Sequence, residues 1–489
     1  MPPLKLCILS SEFVPYAKTG GLADVAGALV RHLPTLGHEV RAFMPLYPVV
    51  RRDHSELQPV AGLQQIPLTI GMQYEYSLQR ATFPGTDALM YFVDCPALFD
   101  RSSLYTNDPD EHRRFLLFTR AALDSCRRLK FAPDIFHCND WHTAFAPWFL
   151  KTQNLSDDLL SRSKSLMTIH NIGYQGIMAS SAAPDLGFGR TSELDQDDLS
   201  HGIINALKTG IRFADRVSTV SPTYAREICE SPLGMGLQSA LRLRIDGVVG
   251  ILNGVDYREW DPRHDSHLAA HFGPENIRGK STNKEVLSAK LKLNIQKSAP
   301  LIGMVTRLAE QKGIDLLFDT LPALLQTREF GLVVLGSGEA KYEAFFADLG
   351  RRFAGRAAYA SGFNEPLAHL IEAGSDILLM PSRYEPCGLN QMYSLRYGTI
   401  PIVRKTGGLA DSVEHFDPNT GSGTGCVFND YDAPAVRWAI ETALGWYANP
   451  VSWRQLMRNA MRKDFSWSRQ IGEYDSLYRS LRAAANRRA

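Results

Sequence analysis

The residues best suited to chemistry fall where a short apolar run gives way to a helical pattern. Lys18-Thr19-Gly20-Gly21 is the first such place. Two glycines let a backbone approach a phosphate, the open N–H groups and dipole of a helix start favour an anion, and the lysine adds a full charge. The GxxxxGK[ST] pattern of a triphosphate loop is absent, and a tight turn with a solvated lysine is the alternative. Arg307 and Lys312 follow the run ending at Thr306, just ahead of Gly313. Two cations so placed can neutralise a departing diphosphate without a metal, and each ~1.4 kcal/mol of such stabilisation is tenfold in rate. Ordinary surface charge is the rival reading. Glu385 lies in Ser382-Arg383-Tyr384-Glu385-Pro386-Cys387-Gly388-Leu389. A carboxylate in such a loop either binds sugar hydroxyls or caps the helix that follows.

His137-Cys138-Asn139-Asp140-Trp141-His142 crowds three metal-ligand types together. Neighbouring positions at a strand end point in different directions, however, and neither HExxH nor CxxC spacing is present. Asp140 and Trp141 facing a sugar is the better reading. His264, His267 and His271 have helical spacing but sit in a polar stretch, which favours a solvated surface. His170-Asn171 ends another apolar run and precedes Gly173 and Gly176. It reads equally as a ligand-facing strand end or as a satisfied structural histidine.

The elements that must position these residues alternate strand and helix. Strand-like runs occur at 4–10, 38–44, 134–137, 165–170, 216–220 and 248–252, with amphipathic stretches at 22–36 and 141–152. The second half repeats the alternation more cleanly, with strands at 301–305, 331–335, 357–360, 377–380 and 400–403. Such alternation predicts parallel, doubly wound sheets covered by helices on both faces. A chain of 489 residues exceeds one ordinary core, so two domains of roughly 200–250 residues follow. The junction falls in Ile-Leu-Asn-Gly-Val-Asp-Tyr-Arg-Glu-Trp-Asp-Pro, residues 251–262. Lys18–Asp24 and Lys405–Asp411 both read KTGGLAD, each between a strand and a helix.

A formal net charge of +1 excludes a global field for nucleic acid or an anionic membrane. Seven scattered cysteines without a CxxC pair argue for reduced thiols in the cytoplasm. The opening residues read as a first buried strand rather than a signal peptide, and no run approaches the ~18 apolar residues of a membrane span.

KTGGLADV, HCNDWH, TIHN, NGVDYREWDP, TRLAEQKG, SRYEPCGL and the second TGGLAD, in this order, resemble glycosyltransferase family 5, the bacterial glycogen synthases and plant starch synthases. The resemblance runs from about Leu4 to Trp467. It implies a GT-B fold, two Rossmann-like doubly wound domains facing across a deep cleft: residues 1–253 on the acceptor side and 254–468 on the nucleotide-sugar side. A C-terminal helix, 469–489, would pack back onto the first. The implied reaction is transfer of glucose, with retention, from ADP-glucose to the non-reducing end of an α-1,4-glucan, with no cofactor and no metal. Lys18, Gly20, Gly21, His170 and Asn171 would contact the donor, Arg307 and Lys312 its diphosphate, and Glu385, Cys387, Gly388 and Leu389 its glucose and phosphate. Asp140 would lie on the acceptor side. Tyr359 and Ser361-Gly362-Phe363 are candidates for the nucleoside.

This chain carries Asn390 where the family motif has threonine, and its 101–113 segment departs from the usual acceptor-side loop. Asp108-Pro109-Asp110 and Asp195-Gln196-Asp197 resemble the DxD metal signature of other glycosyltransferases but sit in acidic loops. A UDP-glucose enzyme and a non-catalytic glucan-binding homologue are the competing readings.

Overall fold

Valine, isoleucine and leucine runs too apolar to tolerate water on either side dictate the architecture, because such strands must lie inside a sheet covered on both faces. The computed structural model describes residues 2–152, 158–187 and 193–486, and the chain forms two compact units. Unit 1 comprises residues 1–220, 225–251 and 467–489; unit 2 comprises 221–224 and 252–466.

In unit 1, strand Lys5–Leu9 lies centrally, with parallel neighbours Glu39–Pro45 and Ile135–Asn139. Beyond Ile135–Asn139 the parallel order continues through Lys164–Ile169, Arg216–Thr219 and Val248–Gly250. Beyond Glu39–Pro45 comes Leu89–Asp94, also parallel, and then the antiparallel strands Met72–Thr82 and Gln58–Pro59. Ile66–Ile70 also pairs antiparallel with Met72–Thr82. This antiparallel flap has no counterpart in the strands read from sequence. Its long strand, MQYEYSLQRAT, is rich in polar residues and partly exposed along its length, so the apolar signal that marks the parallel strands is missing.

Unit 2 holds six parallel strands in the order Ala357–Ser361, Gly331–Gly336, Leu301–Val305, Ile377–Met380, Ile400–Arg404, Cys426–Phe428. The last, only three residues long, is too short to read from pattern. Counted in chain order this is 3-2-1-4-5-6, so the winding reverses between Leu301–Val305 and Ile377–Met380. Ligands in such sheets bind beyond the carboxyl ends of the strands at that reversal. In unit 1 the corresponding reversal lies between Lys5–Leu9 and Ile135–Asn139.

Helix Trp467–Asn486 completes unit 1. Its Tyr478 hydroxyl meets Nδ1 of the buried His137 at 2.8 Å, its Asp475 meets His38 Nε2 at 2.9 Å, and Arg482 pairs with Asp134 at 3.0 Å. Residues 487–489 of the expected terminal helix lie outside the described residues. The two stretches of unit 2 that lead to and from unit 1 are joined to each other: Val255 N–H donates to the Phe465 carbonyl at 2.7 Å, and Phe465 N–H to the Tyr257 hydroxyl at 2.9 Å.

A buried lysine secures the helices around unit 2's site loop. Lys280 Nζ donates to the carbonyls of Glu372, Ala373 and Tyr397 and to Thr399 Oγ1, at 2.6–3.4 Å. It thereby satisfies terminal carbonyls of helix Glu365–Gly374 and of the turn after helix Asn390–Arg396. Lys280→Met leaves the Ala373 and Tyr397 carbonyls without their lysine donor, while Glu372 keeps that of Thr399, so we expect a loss of about 2–3 kcal/mol, read as a lower midpoint in urea denaturation. An unchanged midpoint would show the clamp to be dispensable.

Candidate active site

In unit 2 the site is built where the winding reverses. The loop after Leu301–Val305 carries Arg307 and Lys312; the loop after the adjacent strand Ile377–Met380 carries Ser382 and Glu385. Lys312 Nζ reaches Glu385 Oε2 at 2.6 Å, and Ser382 Oγ donates to the same oxygen at 3.0 Å. The Glu385 side chain is only 7% exposed and that of Lys312 17%, so the pair is far less screened than a surface ion pair. Arg307 stands exposed on the same loop, its guanidinium 3.5 Å from Gln311 Oε1.

Glycine makes this approach possible. Gly313 has φ +68°, and a β-carbon there would lie 2.0 Å from the Pro381 carbonyl oxygen. Gly388 has φ +74° and turns the chain between the buried Cys387 and helix Asn390–Arg396. Burial pushes the Cys387 thiol well above its ordinary range, so it sits there as a neutral, inert group. Leu389 is the residue immediately before that helix. Asn390 donates through its amide to the Val305 carbonyl, tying the helix start to the end of the neighbouring strand. The second KTGGLAD segment supports this loop from behind. Gly408 N–H donates to the Glu385 carbonyl at 3.1 Å, and β-carbons at Gly407 and Gly408 would fall 1.9 and 2.2 Å from the carbonyl oxygens of Glu385 and Cys387. The two KTGGLAD copies do different work: Gly407 and Gly408 of this copy pack against the Glu385 loop, whereas Gly20 of the first has open space where a β-carbon would stand. Tyr359, on strand Ala357–Ser361, donates its hydroxyl to the Gly336 carbonyl at 3.1 Å. Just past that strand, Phe363 is 82% exposed and follows Gly362 at φ +93°.

In unit 1 a buried carboxylate, Glu12, occupies the place that sequence reasoning left empty. It accepts from Thr19 N–H, from Thr19 Oγ1 at 2.7 Å, from Gly20 N–H at 3.3 Å and from the Tyr105 hydroxyl. Two amides of the KTGG turn are thus already engaged by the protein's own anion, and Lys18 pairs with Asp24 at 2.7 Å. Gly20 has open space where a β-carbon would stand, and helix Gly21–His32 begins directly after it. The signal for Glu12 was its position: an acid just past a buried strand and ahead of a glycine turn.

Asp140 follows strand Ile135–Asn139 in a left-handed conformation, φ +56°, and is 6% exposed. Its Oδ1 accepts from His170 N–H at 2.6 Å and Asn171 N–H at 3.4 Å. Burial pushes its carboxyl from the ordinary 3.8 up to about 7, against the pull of those two amides. His170 Nε2 lies 2.8 Å from Asn139 Oδ1, while Asn139 Nδ2 donates to the Leu9 carbonyl at 2.9 Å. The asparagine oxygen is therefore the acceptor and the imidazole the donor. Burial holds His170 neutral, down to about 3. Asn171 turns its side-chain oxygen back to Gly173 N–H at 3.0 Å.

The metal-like clusters have other partners. His137 is held by Tyr478 and Thr168 Oγ1, and His142 stacks on Tyr105 with ring centroids 4.8 Å apart. Asp108 and Asp110 both pair with Arg101, at 3.1 and 2.7 Å. Asp195 and Asp198 share Lys208, at 2.9 and 2.7 Å, and Asp195 also meets Arg212. His271 Nε2 lies 3.0 Å from the Asp265 carbonyl oxygen, and the His267 ring packs on His369.

Residues 5–243 match the family model of the starch synthase catalytic domain, and residues 288–459 match that of glycosyl transferases group 1. With a largely parallel sheet in unit 1, a fully parallel one in unit 2 and polar clusters at both winding reversals, this defines a glycosyltransferase of the GT-B class. The chain is 43% identical to a glycogen synthase of Anaeromyxobacter dehalogenans, over 98% of this chain and all of that one, and 40% identical to one of Syntrophotalea carbinolica, over 97% and 98%. It belongs to the glycogen synthase and starch synthase family, and is a glucosyltransferase. The catalytic domain of starch synthase IV from Arabidopsis thaliana, solved with ADP and acarbose, superposes with a TM-score of 0.90 at 33% identity, covering 99% of this chain and all of that one. Sucrose-phosphate synthase from Thermosynechococcus elongatus, at 17% identity and a TM-score of 0.59, covering 98% of this chain and all of that one, shares the fold.

The Asp140 environment yields a pH prediction. Between pH 3.8 and about 7 the folded protein holds a proton that the unfolded chain has released, so this residue's contribution to stability falls as pH rises through that window. An asparagine in its place cannot titrate. Thermal melts of Asp140→Asn and the parent should show the variant gaining relative stability from pH 5 to pH 8; a constant difference would contradict the raised carboxyl.

Proposed function

We propose that the enzyme transfers glucose from ADP-glucose to the 4-hydroxyl at the non-reducing end of an α-1,4-glucan, with retention and without a metal ion. The observation that carries this reading is the buried Lys312–Glu385 pair beside Arg307 at unit 2's winding reversal. A nucleoside diphosphate develops charge as the bond to the sugar breaks, and preoriented cations stabilise that charge most where water is excluded. Glu385, itself held by the Ser382 hydroxyl, orients the ammonium, so little reorganisation accompanies the reaction. The bound ADP of the starch synthase IV structure supports an adenosine donor.

In this reading the bond from C1 to the diphosphate oxygen breaks and a bond from C1 to the acceptor oxygen forms on the same face. The acceptor's proton passes to the departing phosphate oxygen, which balances the charge. Two features of unit 1 support a mechanism without a protein nucleophile. His170 is neutral with its Nε2–H committed to Asn139, and the resemblance to the family implies that its main-chain carbonyl stabilises an electron-poor C1. Asp140 is likewise occupied with backbone amides, and holds the His170-Asn171 strand end in place for the sugars. By the same family resemblance Lys18, Gly20 and Gly21 are donor contacts and Cys387, Gly388 and Leu389 contacts of the glucose and phosphate, with Tyr359 a candidate for the nucleoside. All seven cysteines are free, which fits a cytoplasmic setting; no helix among the described residues is long and apolar enough to cross a membrane.

Incorporation of labelled glucose into glycogen, from ADP-glucose and from UDP-glucose with EDTA present, tests donor and metal independence together. Transfer from ADP-glucose in EDTA is expected; transfer from UDP-glucose alone would overturn the donor, and loss in EDTA the metal-free mechanism. Lys312→Ala and Arg307→Ala should each lower kcat/KM by about 10²–10³; the exposed Arg307 variant should keep the parent's melting profile, while the Lys312 variant, which strips the buried Glu385 of its partner, should fold with a lowered midpoint. Near-native turnover in either would remove that cation from the leaving-group site. Glu385→Ala should likewise lose activity without unfolding.

A further inference from the structure

Unit 2 carries a second concavity that the proposed reaction does not use. It lies on the Ala410–Val413 side of helix Gly407–Ser412, whereas Gly407 and Gly408 look toward Glu385 and Cys387. Its volume is about 410 Å³, within the range of small-ligand sites. Trp438, on helix Ala433–Tyr447, forms one wall and is 49% exposed. The His415 ring lies nearly parallel to it, with centroids 5.8 Å apart and planes 13° apart, and is steadied edge-on by Trp446 at 5.3 Å. Val413 and Val427 give an apolar floor; Lys405 and Asn429 supply the polar rim.

The hydrogen-bonding capacity of this pocket is open. His415 Nδ1 accepts from Val427 N–H at 3.1 Å, so in the neutral ring Nε2 carries the proton and remains a donor. The main chains of Lys405 and Asn429 are engaged, with Phe428 and Arg404, but their side-chain ammonium and amide take no partner among the described residues. A half-exposed indole beside outward-facing neutral donors and acceptors is the chemistry that receives a sugar ring, whose C–H face packs on the aromatic while its hydroxyls reach the rim. Lys405 is the single full cation of the lining. A phosphorylated effector would call for a denser, bidentate cationic cradle. A neutral polyol fits better.

We propose that the pocket walled by Trp438 and His415 is an auxiliary site for the α-glucan itself, holding a chain of the polymer apart from the chain being extended. The choice of α-glucan as occupant rests on the reaction proposed above. Such a site would raise the local concentration of acceptor ends for a branched polymer while doing nothing for a short oligosaccharide.

The test separates binding from catalysis. Mobility in native gels with and without glycogen measures retention; transfer to glycogen and to maltotriose measures the reaction. For Trp438→Ala we expect retention to fall and KM for glycogen to rise about fivefold, with kcat and KM for maltotriose unchanged. Trp438→Phe should keep most of the retention, because it preserves a stacking face. Asn429→Ala, which removes a rim group without disturbing packing, should weaken retention with an unaltered melting temperature. Retention and glycogen KM unchanged in both Trp438→Ala and Asn429→Ala would overturn the site, as would a parent enzyme that extends glycogen but is not retained by it. Retention lost in Trp438→Ala, in a parent that transfers from no nucleotide sugar, would uphold the pocket and sink the proposed reaction.

Discussion

Lys312 reaches Glu385 because the loops around them run main chain against main chain. At Gly313, Gly407 and Gly408 a β-carbon would stand 2.0, 1.9 and 2.2 Å from a neighbouring carbonyl oxygen, so no other residue fits without moving the loop it touches. These glycines, from the loops after two other strands, close on one short segment, Pro381–Cys387, and hold its carboxylate out of water against a lysine. An isolated carboxylate in such a place would take up a proton. Lys312 Nζ at 2.6 Å and the Ser382 hydroxyl at 3.0 Å supply the Glu385 carboxylate with partners, and the carboxylate in turn keeps the ammonium aimed. Each half of the pair is the reason the other can be buried.

Unit 1 meets the same difficulty differently. The buried acids at its winding reversal, Glu12 and Asp140, are held chiefly by backbone amides and hydroxyls, and neither makes an ion pair among the described residues. Amides stabilise a charge without neutralising it, which is why burial still lifts the Asp140 carboxyl to about 7. The two units thus place different electrostatics at equivalent points of their sheets: a compensated ion pair at one reversal, a pair of amide-bound carboxylates at the other.

The parallel strands were legible because burial on both faces leaves an unbroken apolar run. The motifs at their ends were legible because glycine, lysine and glutamate at fixed spacing are uncommon between such runs. What escaped was whatever depends on contact between distant segments. Glu12 looks like any acid near a strand end until Thr19 and Tyr105 close on it. Asn139 is one polar residue within a six-residue cluster, and its role emerges only when Leu9 and His170 are adjacent. The two KTGGLAD copies are identical in sequence but differ in use, since one sets its turn against Glu12 and the other packs its glycines on the loop beneath Glu385. The flap at 58–82 escaped because its strands are partly exposed and so carry polar residues along their length.

Helix Trp467–Asn486 has a consequence for how the protein is made. Unit 1 starts at strand Lys5–Leu9 and is completed by a helix that the ribosome delivers only after the whole of 252–466. Until then His137 has no tyrosine partner and His38 no aspartate, and the sheet face that receives the helix stands open. Apart from four residues, unit 2 is a single uninterrupted stretch, 252–466, and its core can close while the remainder is still being translated. The later half of the chain is therefore positioned to finish folding first, and the earlier half must wait, sheet exposed, through the synthesis of more than two hundred intervening residues.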